Sequence, residues 1–208
     1  MIIDVWSDVV CPWCFIGKRR LEKAVAGLPA GTPVEIRHRA FQLQPDIVGV
    51  TPTAELLASK YRVDVDQVAK MQANVCSIAD GEGLCYDLAD TLSGNTLDAH
   101  CLVLWAATKG KQGELLEAMY SAYFEQSEAL FSREDLVSVA ARVDLKEAEV
   151  SALLDSSEFA EQVLEDQRVA QSLGAGGVPF FVIDMKLGIS GAQPLEVFEQ
   201  ALAQALAG

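Results

Sequence analysis

Two cysteines near the start of the chain lie where a strand-like sequence pattern changes to a helical one. Ile2 to Trp6 is a β-branched and aromatic run, which predicts a strand. From Pro12 onward the apolar residues recur at helical spacing, which predicts a helix ending near 27–31. Cys11 and Cys14 therefore lie at the start of a helix that follows a strand. Residues three apart share one side of a helical turn, so these sulfurs are close enough to form a disulfide.

The position of the pair predicts different chemistry for its two thiols. Pro12 suits the first helical position, which places Cys11 at about the N-cap. Free backbone N–H groups and the positive end of the helix dipole favour a thiolate there. Asp4 and Asp8 oppose that field, and the sequence leaves the balance open. We expect Cys11 to be the exposed nucleophile and Cys14, on the apolar face, the buried resolving thiol.

A cysteine pair with this spacing also occurs in zinc sites, which need four ligands. The other cysteines, Cys76, Cys85 and Cys101, form no second Cys-x-x-Cys pair. We interpret them as small buried side chains on apolar helical faces. The dithiol is accordingly interpreted as a redox pair with no metal, and a zinc-binding or chaperone-like module is kept as a minor alternative.

The first strand and helix are followed by a second strand and then by a long helical stretch. Val34 to Phe41 alternates apolar and polar residues, as a half-buried strand does, so the chain opens with a βαβ unit. Residues 46–165 contain no convincing strand. Three helix starts are legible there, because Asp64, Asn95 and Ser132 each resemble a cap with its partner three residues later.

The end of the chain returns to strands. Val178 to Ile183 predicts a buried strand, Leu187 to Ser190 a short returning strand, and Pro194 begins a final helix that runs to Ala207. The ends therefore form one α/β domain that a helical domain interrupts. The expected limits are 1–45 with 166–208 for the discontinuous α/β domain and 46–165 for the all-helical insertion domain.

Charge and hydropathy restrict the partners and the compartment. Acidic residues outnumber basic ones by 30 to 16, giving a net charge of −14, which disfavours nucleic acid as a partner. The first eight residues include Asp4 and Asp8, unlike a secretion signal. The longest strongly apolar run, Val178 to Ile183, is far shorter than the roughly 20 residues of a membrane span. We expect a cytoplasmic protein without a membrane partner.

Motifs at both ends of the chain resemble a known family. Cys11-Pro-Trp-Cys14 after a strand and Gly177-Val-Pro-Phe-Phe181 before one resemble the DsbA-like members of the thioredoxin superfamily. The stretches Trp6 to Arg20, Asn95 to His100 and Ser190 to Pro194 resemble, more narrowly, its FrnE-like branch. The resemblance implies an α/β, thioredoxin-like fold interrupted by a large all-helical insertion.

The resemblance also implies a substrate-binding loop. It places a cis peptide bond at Val178–Pro179, in a loop that faces the dithiol and whose backbone pairs with an extended substrate. Only an X-Pro bond has an appreciable cis population, and the glycines before it allow close approach to the sulfurs. Pro12 and Trp13, between the two cysteines, are assigned to the same substrate-binding surface.

Two residues of the helical insertion are further candidates. The resemblance implies that Asn95 and His100 belong to the wall of the active cleft. The plain alternative is structural, because Asn95 is a plausible N-cap and His100 lies between Leu97 and Leu104 on a partly apolar helix face. His38, in the middle of the second strand, is given no function.

These features predict a thiol–disulfide oxidoreductase or isomerase. The Cys11 thiolate attacks a substrate disulfide and Cys14 resolves the mixed disulfide, or the steps run in reverse. Proteins or peptides with thiols or disulfides are the expected partners, glutathione is an open redox partner, and no cofactor is needed. The direction of electron flow depends on a reduction potential that the sequence does not determine.

The alternative is a glutathione-dependent transferase or isomerase of the kappa or chromene-carboxylate isomerase type. These relatives share the interrupted thioredoxin architecture, and the turn from Ser190 to Gln193 could hold a glutathione backbone. As the family is usually described, they carry serine at the first motif position and do not need the second cysteine. The presence of both Cys11 and Cys14 argues against this reading.

Overall fold

Strands and helices alternate at both ends of the sequence, whereas helices dominate its middle. In the computed structural model, which describes residues 1–207, contacts divide the chain accordingly. One unit is Met1–Leu43 with the chain from Gln162 onward, and the second is Gln44–Glu161. In chain order the elements are β1 (Ile2–Ser7), α1 (Pro12–Ala26), β2 (Glu35–Ala40), β3 (Thr51–Pro52), α2 (Thr53–Tyr61), α3 (Val65–Gly81), β4 (Leu92–Ser93), α4 (Leu97–Thr108), α5 (Gln112–Glu125), α6 (Arg133–Ala141), α7 (Glu147–Leu154), α8 (Ala160–Ser172), β5 (Phe180–Ile183), β6 (Leu187–Ser190) and α9 (Leu195–Ala207).

The first unit is built on a sheet with the strand order β2-β1-β5-β6. Strand β1 pairs in parallel with β2 and antiparallel with β5, which in turn pairs antiparallel with β6. A strand in this central position is covered on both faces, which explains the nearly continuous apolar run of β1. The predicted βαβ opening and the closing ββα are both confirmed, with limits within two residues of those expected.

Alternate residues of the strands serve two separate cores. Ile3 and Val5 of β1 pack with Phe181 of β5 and with the apolar faces of α1 and α9. Trp6 and Phe180 point the other way and pack with residues of α8 and the segment that follows it. Because side chains alternate along a strand, a single apolar run supplies both layers. The sheet thus lies between α1 and α9 on one face and α8 on the other.

Helix α8 is fixed to the sheet by buried polar contacts. The Trp6 indole N–H donates to the Asp166 carbonyl at 2.7 Å, and the Ala40 backbone N–H donates to the Asp166 carboxylate at 3.0 Å. Arg39 lies between two carboxylates, with its Nε 2.8 Å from Asp4 and its Nη1 3.5 Å from Asp166. These bonds satisfy polar groups that would otherwise be costly to bury.

The second unit carries helices α2 to α7, and two of its helix starts confirm the sequence reading. Asp64 accepts from the Gln67 backbone N–H at 2.7 Å, and Ser132 forms a full capping box with Asp135. Asn95 lies one residue before the N-cap of α4, which is Thr96. The expected N-cap role of Asn95 is therefore wrong by one position.

A short ladder in the second unit was not predicted. Strands β3 and β4 pair antiparallel through two residues each. Runs of two residues are too short to produce the alternation that predicts a strand, so these strands have no recognisable sequence pattern. No helix within residues 1–207 is long and apolar enough to cross a membrane.

Acid should destabilise the fold through His38, which is 9% exposed in the middle of β2. Burial, together with the positive charge of Lys18, lowers the pKa of His38 from 6.5 to about 4. Between these values the unfolded chain binds a proton that the folded chain does not. His38 therefore leaves the free energy of unfolding unaffected above about pH 6.5. Below that pH it lowers the free energy of unfolding progressively toward pH 4, by about 2 kcal/mol at pH 5.

Urea unfolding at pH 7 and pH 5 measures this contribution when the protein is compared with a His38→Gln variant. Other titrating groups act equally in both proteins, so the loss of stability should be about 2 kcal/mol smaller in the variant. Equal losses in the two proteins would show that His38 is not the responsible group.

Candidate active site

Cys11 and Cys14 lie on the first turn of α1, directly after the turn that leaves β1. Cys11 is the N-cap residue with extended backbone angles (φ −94°, ψ 110°), and Pro12 occupies the first helical turn. The Cys11 N–H donates to the Asp8 carbonyl at 3.1 Å, and the Cys14 N–H donates to the Cys11 carbonyl at 2.9 Å. These bonds close the turn and place both sulfurs on one side of it, as the spacing predicted.

The environment of Cys14 keeps its thiol protonated at neutral pH. Burial raises the pKa of Cys14 well above the usual range, and its hydrogen bond with the Cys11 side chain adds to this effect. The nearby negative charge of Asp8 acts in the same direction, and a hydrogen bond with the Asp8 backbone opposes it. Cys14 is 2% exposed, in agreement with the prediction of a buried second thiol.

Cys11 is also buried, so the prediction that it is exposed is wrong. It is 4% exposed, and its Sγ donates to the Val178 carbonyl at 3.6 Å. A residue at the start of a helix is normally open to solvent, which is why the sequence suggested exposure. Here a loop 167 residues further along the chain comes within hydrogen-bond distance of the sulfur, and only the tertiary fold brings it there.

The loop before β5 reaches the dithiol because β1 and β5 are neighbours. Trp6, near the end of β1, pairs with Phe180 at the start of β5. The residues just after β1 and those just before β5 are therefore at the same edge of the sheet. The peptide bond between Val178 and Pro179 is cis, which is the geometry the resemblance implied. The Pro179 carbonyl accepts from the Gly191 N–H at 2.8 Å, which ties the loop to the end of β6.

Helix α1 approaches this loop closely at a glycine that the sequence reading did not single out. A Cβ atom on Gly17 would lie 3.0 Å from the Phe181 ring, 3.1 Å from the Pro179 ring and 3.5 Å from the Cβ of Ala192. Few Cβ atoms have such short contacts with two rings. The sequence signal was the glycine itself, since a glycine inside a helix costs about 1 kcal/mol relative to alanine and needs a packing reason.

The remaining predicted site residues fall into two groups. Pro12 and Trp13, between the cysteines, are half-buried on α1. Asn95 and His100 belong to the second unit. Asn95 is exposed, donating to the Pro45 carbonyl at 2.7 Å and accepting from the Leu97 N–H at 2.8 Å. His100 is 3% exposed on α4. Their assignment to the wall of an active cleft stays a prediction.

The other three cysteines are less buried than the sequence suggested. All five cysteines lie within the described residues and are free thiols, with Cys76 and Cys101 half-buried and Cys85 exposed. Cys85 lies in the loop after α3, not on a helix. Burial, aided by the charge of Asp98, raises the pKa of Cys101 to about 11. Within residues 1–207, no group of three or more His, Cys, Asp or Glu side chains is placed to hold a metal ion.

A dithiol on the first turn of the helix after β1, opposite a cis-proline loop from the neighbouring antiparallel strand, defines a thioredoxin-fold protein of the oxidoreductase class. The chain matches the DSBA-like thioredoxin domain over residues 2–203 and belongs to that family.

Solved structures with related folds span the whole chain. A probable DsbA oxidoreductase from Streptomyces coelicolor is 41% identical, covers 100% of this chain and 90% of its own, and superposes with a TM-score of 0.95. A cytosolic disulfide reductase, DsbM from Pseudomonas aeruginosa with GSH, is 18% identical over 100% of both chains, with a TM-score of 0.68. A 2-hydroxychromene-2-carboxylate isomerase is 17% identical over 99% of this chain and 96% of its own, with a TM-score of 0.71.

Replacing Gly17 by alanine should separate α1 from the proline loop. The added methyl meets two rings that have little room to move, so we expect a loss of about 1–3 kcal/mol in the free energy of unfolding. Gly113 provides a matched control, because it is also helical and a Cβ there would meet nothing within 4 Å. Gly113→Ala should leave stability unchanged or raise it by up to about 1 kcal/mol. Urea unfolding of both variants makes the comparison, and equal midpoints would refute the tight contact.

Proposed function

We propose that the protein is a thiol–disulfide oxidoreductase that exchanges disulfides with protein or peptide substrates through Cys11 and Cys14. The observation that carries this proposal is that the Cys11 thiol, the Cys14 thiol and the Val178 carbonyl lie close together. Cys11 caps the start of α1, Cys14 lies one turn deeper beside it, and the Cys11 Sγ is 3.6 Å from the carbonyl of Val178. Family membership supports the class of reaction, and the geometry supports the division of labour between the two sulfurs.

The reaction follows from the different settings of the two thiols. The Cys11 sulfur, as thiolate, attacks one sulfur of the substrate disulfide, and the other substrate sulfur leaves with the electron pair and takes up a proton. Cys14 then loses its proton and attacks the Cys11 sulfur, which releases the second substrate thiol and leaves an intramolecular disulfide. The raised pKa of Cys14 keeps this thiol unreactive toward outside disulfides. Its proximity to Cys11 makes it effective only once the mixed disulfide has formed.

We assign substrate binding to the backbone of Val178 next to Pro179, with Pro12 and Trp13 beside it. In the reduced protein the Val178 carbonyl accepts from the Cys11 thiol. A Cys11 thiolate has no S–H to donate, so the carbonyl becomes available to a backbone N–H of an extended peptide when Cys11 is in its reactive form. Main-chain pairing of this kind accepts many sequences, which suits a substrate class defined by its disulfide.

The compartment and the redox partner are part of the same proposal. A cytosolic disulfide reductase solved with GSH shares this fold at a TM-score of 0.68, which supports a cytoplasmic location and glutathione as a redox partner. The motif from Trp6 to Arg20 supports the FrnE-like branch. We further propose that the two units are the thioredoxin-like domain and its helical insertion, with Asn95 and His100 as candidate substrate-binding residues of the insertion.

A glutathione-dependent isomerase is the second candidate, because a 2-hydroxychromene-2-carboxylate isomerase superposes with a TM-score of 0.71. The two functions differ in their need for Cys14. An isomerase of that type would keep full activity in a Cys14→Ser variant and bind glutathione tightly. Disulfide exchange loses its resolving step in the same variant.

Replacing Cys14 by serine should trap the mixed disulfide. When the reduced variant meets an excess of two peptides joined by one disulfide, a covalent adduct at Cys11 should accumulate, because the leaving peptide thiol diffuses away and no second thiol of the protein is placed to release the adduct. Intact-protein mass spectrometry under non-reducing conditions measures the adduct, and dithiothreitol should remove it.

Two variants serve as controls in this trapping experiment. Cys11→Ser should form no adduct. Cys85→Ser, which removes the exposed cysteine, should reduce the disulfide peptide at the rate of the unmodified protein. If Cys14→Ser traps no disulfide peptide and keeps the full activity of the unmodified protein, disulfide exchange is rejected in favour of the isomerase.

A further inference from the structure

Arg20 makes contacts that the proposed reaction does not yet use. It lies three residues after Gly17 on α1, so the two residues share one face of the helix. Its Nη1 donates to the carbonyl of Ala192 at 2.7 Å and to that of Gln193 at 3.2 Å. One cation therefore binds two successive carbonyls of the segment between β6 and α9, which we call the 191–193 turn.

The 191–193 turn is in direct contact with the proline loop. The Gly191 N–H donates to the Pro179 carbonyl at 2.8 Å. The Cβ of Ala192 and the ring of Pro179 both lie against the same glycine of α1, Gly17. Helix α1, the turn and the proline loop thus form a closed set of contacts, in which Arg20 supplies the charged link.

The other hydrogen bonds described for the turn run within it or to the proline loop. Gln193 folds back on it, with its N–H donating to the Gly191 carbonyl at 2.9 Å and its side chain to the Ser190 carbonyl at 2.8 Å. These bonds shape the turn internally and do not attach it to the helix that carries the cysteines. The Arg20 bonds make that attachment, and they are strong because the donor is charged.

We propose that Arg20 is a positioning residue for the substrate-binding loop: by holding the 191–193 turn on α1, it keeps Pro179 and the Val178 backbone at their working distance from the Cys11 sulfur. This inference rests on the proposed disulfide exchange and deepens it. Arg20 contacts neither sulfur. It therefore affects steps that need the loop, such as docking of a peptide. A loop that moves away uncovers the Cys11 sulfur, so the reaction of Cys11 with a small electrophile should not become slower.

The test compares Arg20→Gln with Arg19→Gln, which makes the same change of charge one residue away. Arg19 donates to Glu22 at 2.9 Å and lies over the Phe15 ring, so none of these contacts involves the turn. Two rates are measured for each variant: kcat and KM for a disulfide peptide, with excess reduced glutathione to return the oxidised dithiol to two thiols, and the rate of Cys11 alkylation by iodoacetamide in the reduced protein.

We expect Arg20→Gln to lower kcat/KM by about tenfold, chiefly through a higher KM, since small displacements of positioned groups have effects of this size or larger. Its alkylation rate should not fall below that of the unmodified protein, because displacement of the loop uncovers the Cys11 sulfur. Arg19→Gln should stay within about twofold of the unmodified protein in both assays. Arg20→Lys, which keeps the charge and one possible carbonyl contact, should recover part of the loss and provides a folded variant if Arg20→Gln does not fold.

Two results would overturn the proposal. One is an Arg20→Gln variant, or an Arg20→Lys variant where the first does not fold, whose kcat/KM matches that of Arg19→Gln. The other is a loss in which peptide turnover and alkylation fall together, since this would mean a general disturbance of α1. A failure of the proposed function itself is distinguishable, because the unmodified protein would then show no peptide turnover while Cys11 still alkylates.

Discussion

The antiparallel pairing of β1 with β5 is the interaction on which the rest of the structure depends. It joins the two ends of the chain, and its register places Trp6 opposite Phe180. The dithiol turn leaves one strand at the edge where the proline loop enters the other, so two distant segments meet at the site. A shift of one residue would exchange the faces of β5, moving Phe181 out of the α1 core and Pro179 away from the cysteines.

The helix start then places two identical side chains in different environments. Cys11 is at the N-cap, where backbone N–H groups have no partner within the helix, whereas Cys14 is one turn further and fully surrounded. Burial and the neighbouring charge of Asp8 raise the pKa of Cys14. Nothing in the chemistry of the cysteine side chain distinguishes the two, so the distinction is due to their positions on the turn.

The fold alone does not define the reaction, because a disulfide reductase and an isomerase have the same architecture as this chain. What separates the possibilities is the site: two thiols, one of them hydrogen-bonded to the carbonyl before a cis proline. The close approach of α1 at Gly17 and the bonds of Arg20 to the 191–193 turn keep that site in shape. The helix that carries Cys11 and the loop proposed to bind the substrate are thus parts of one packed junction.

Several features could be predicted because their causes are local. The strand before the dithiol, the helix after it, the caps at Asp64 and Ser132 and the hairpin of β5 and β6 are encoded by residue patterns within a few positions. The ladder of β3 and β4 and the exposure of Cys85 left no such pattern, and neither was predicted.

By itself the sequence predicted the dithiol, the elements on which it lies and the family to which the chain belongs. Tertiary structure decided that Cys11 is buried, that its sulfur meets the Val178 carbonyl and that Gly17 is packed against Pro179. The physical reason is distance along the chain. These contacts join groups more than 160 residues apart, and which face each group presents is fixed only when β1 and β5 pair.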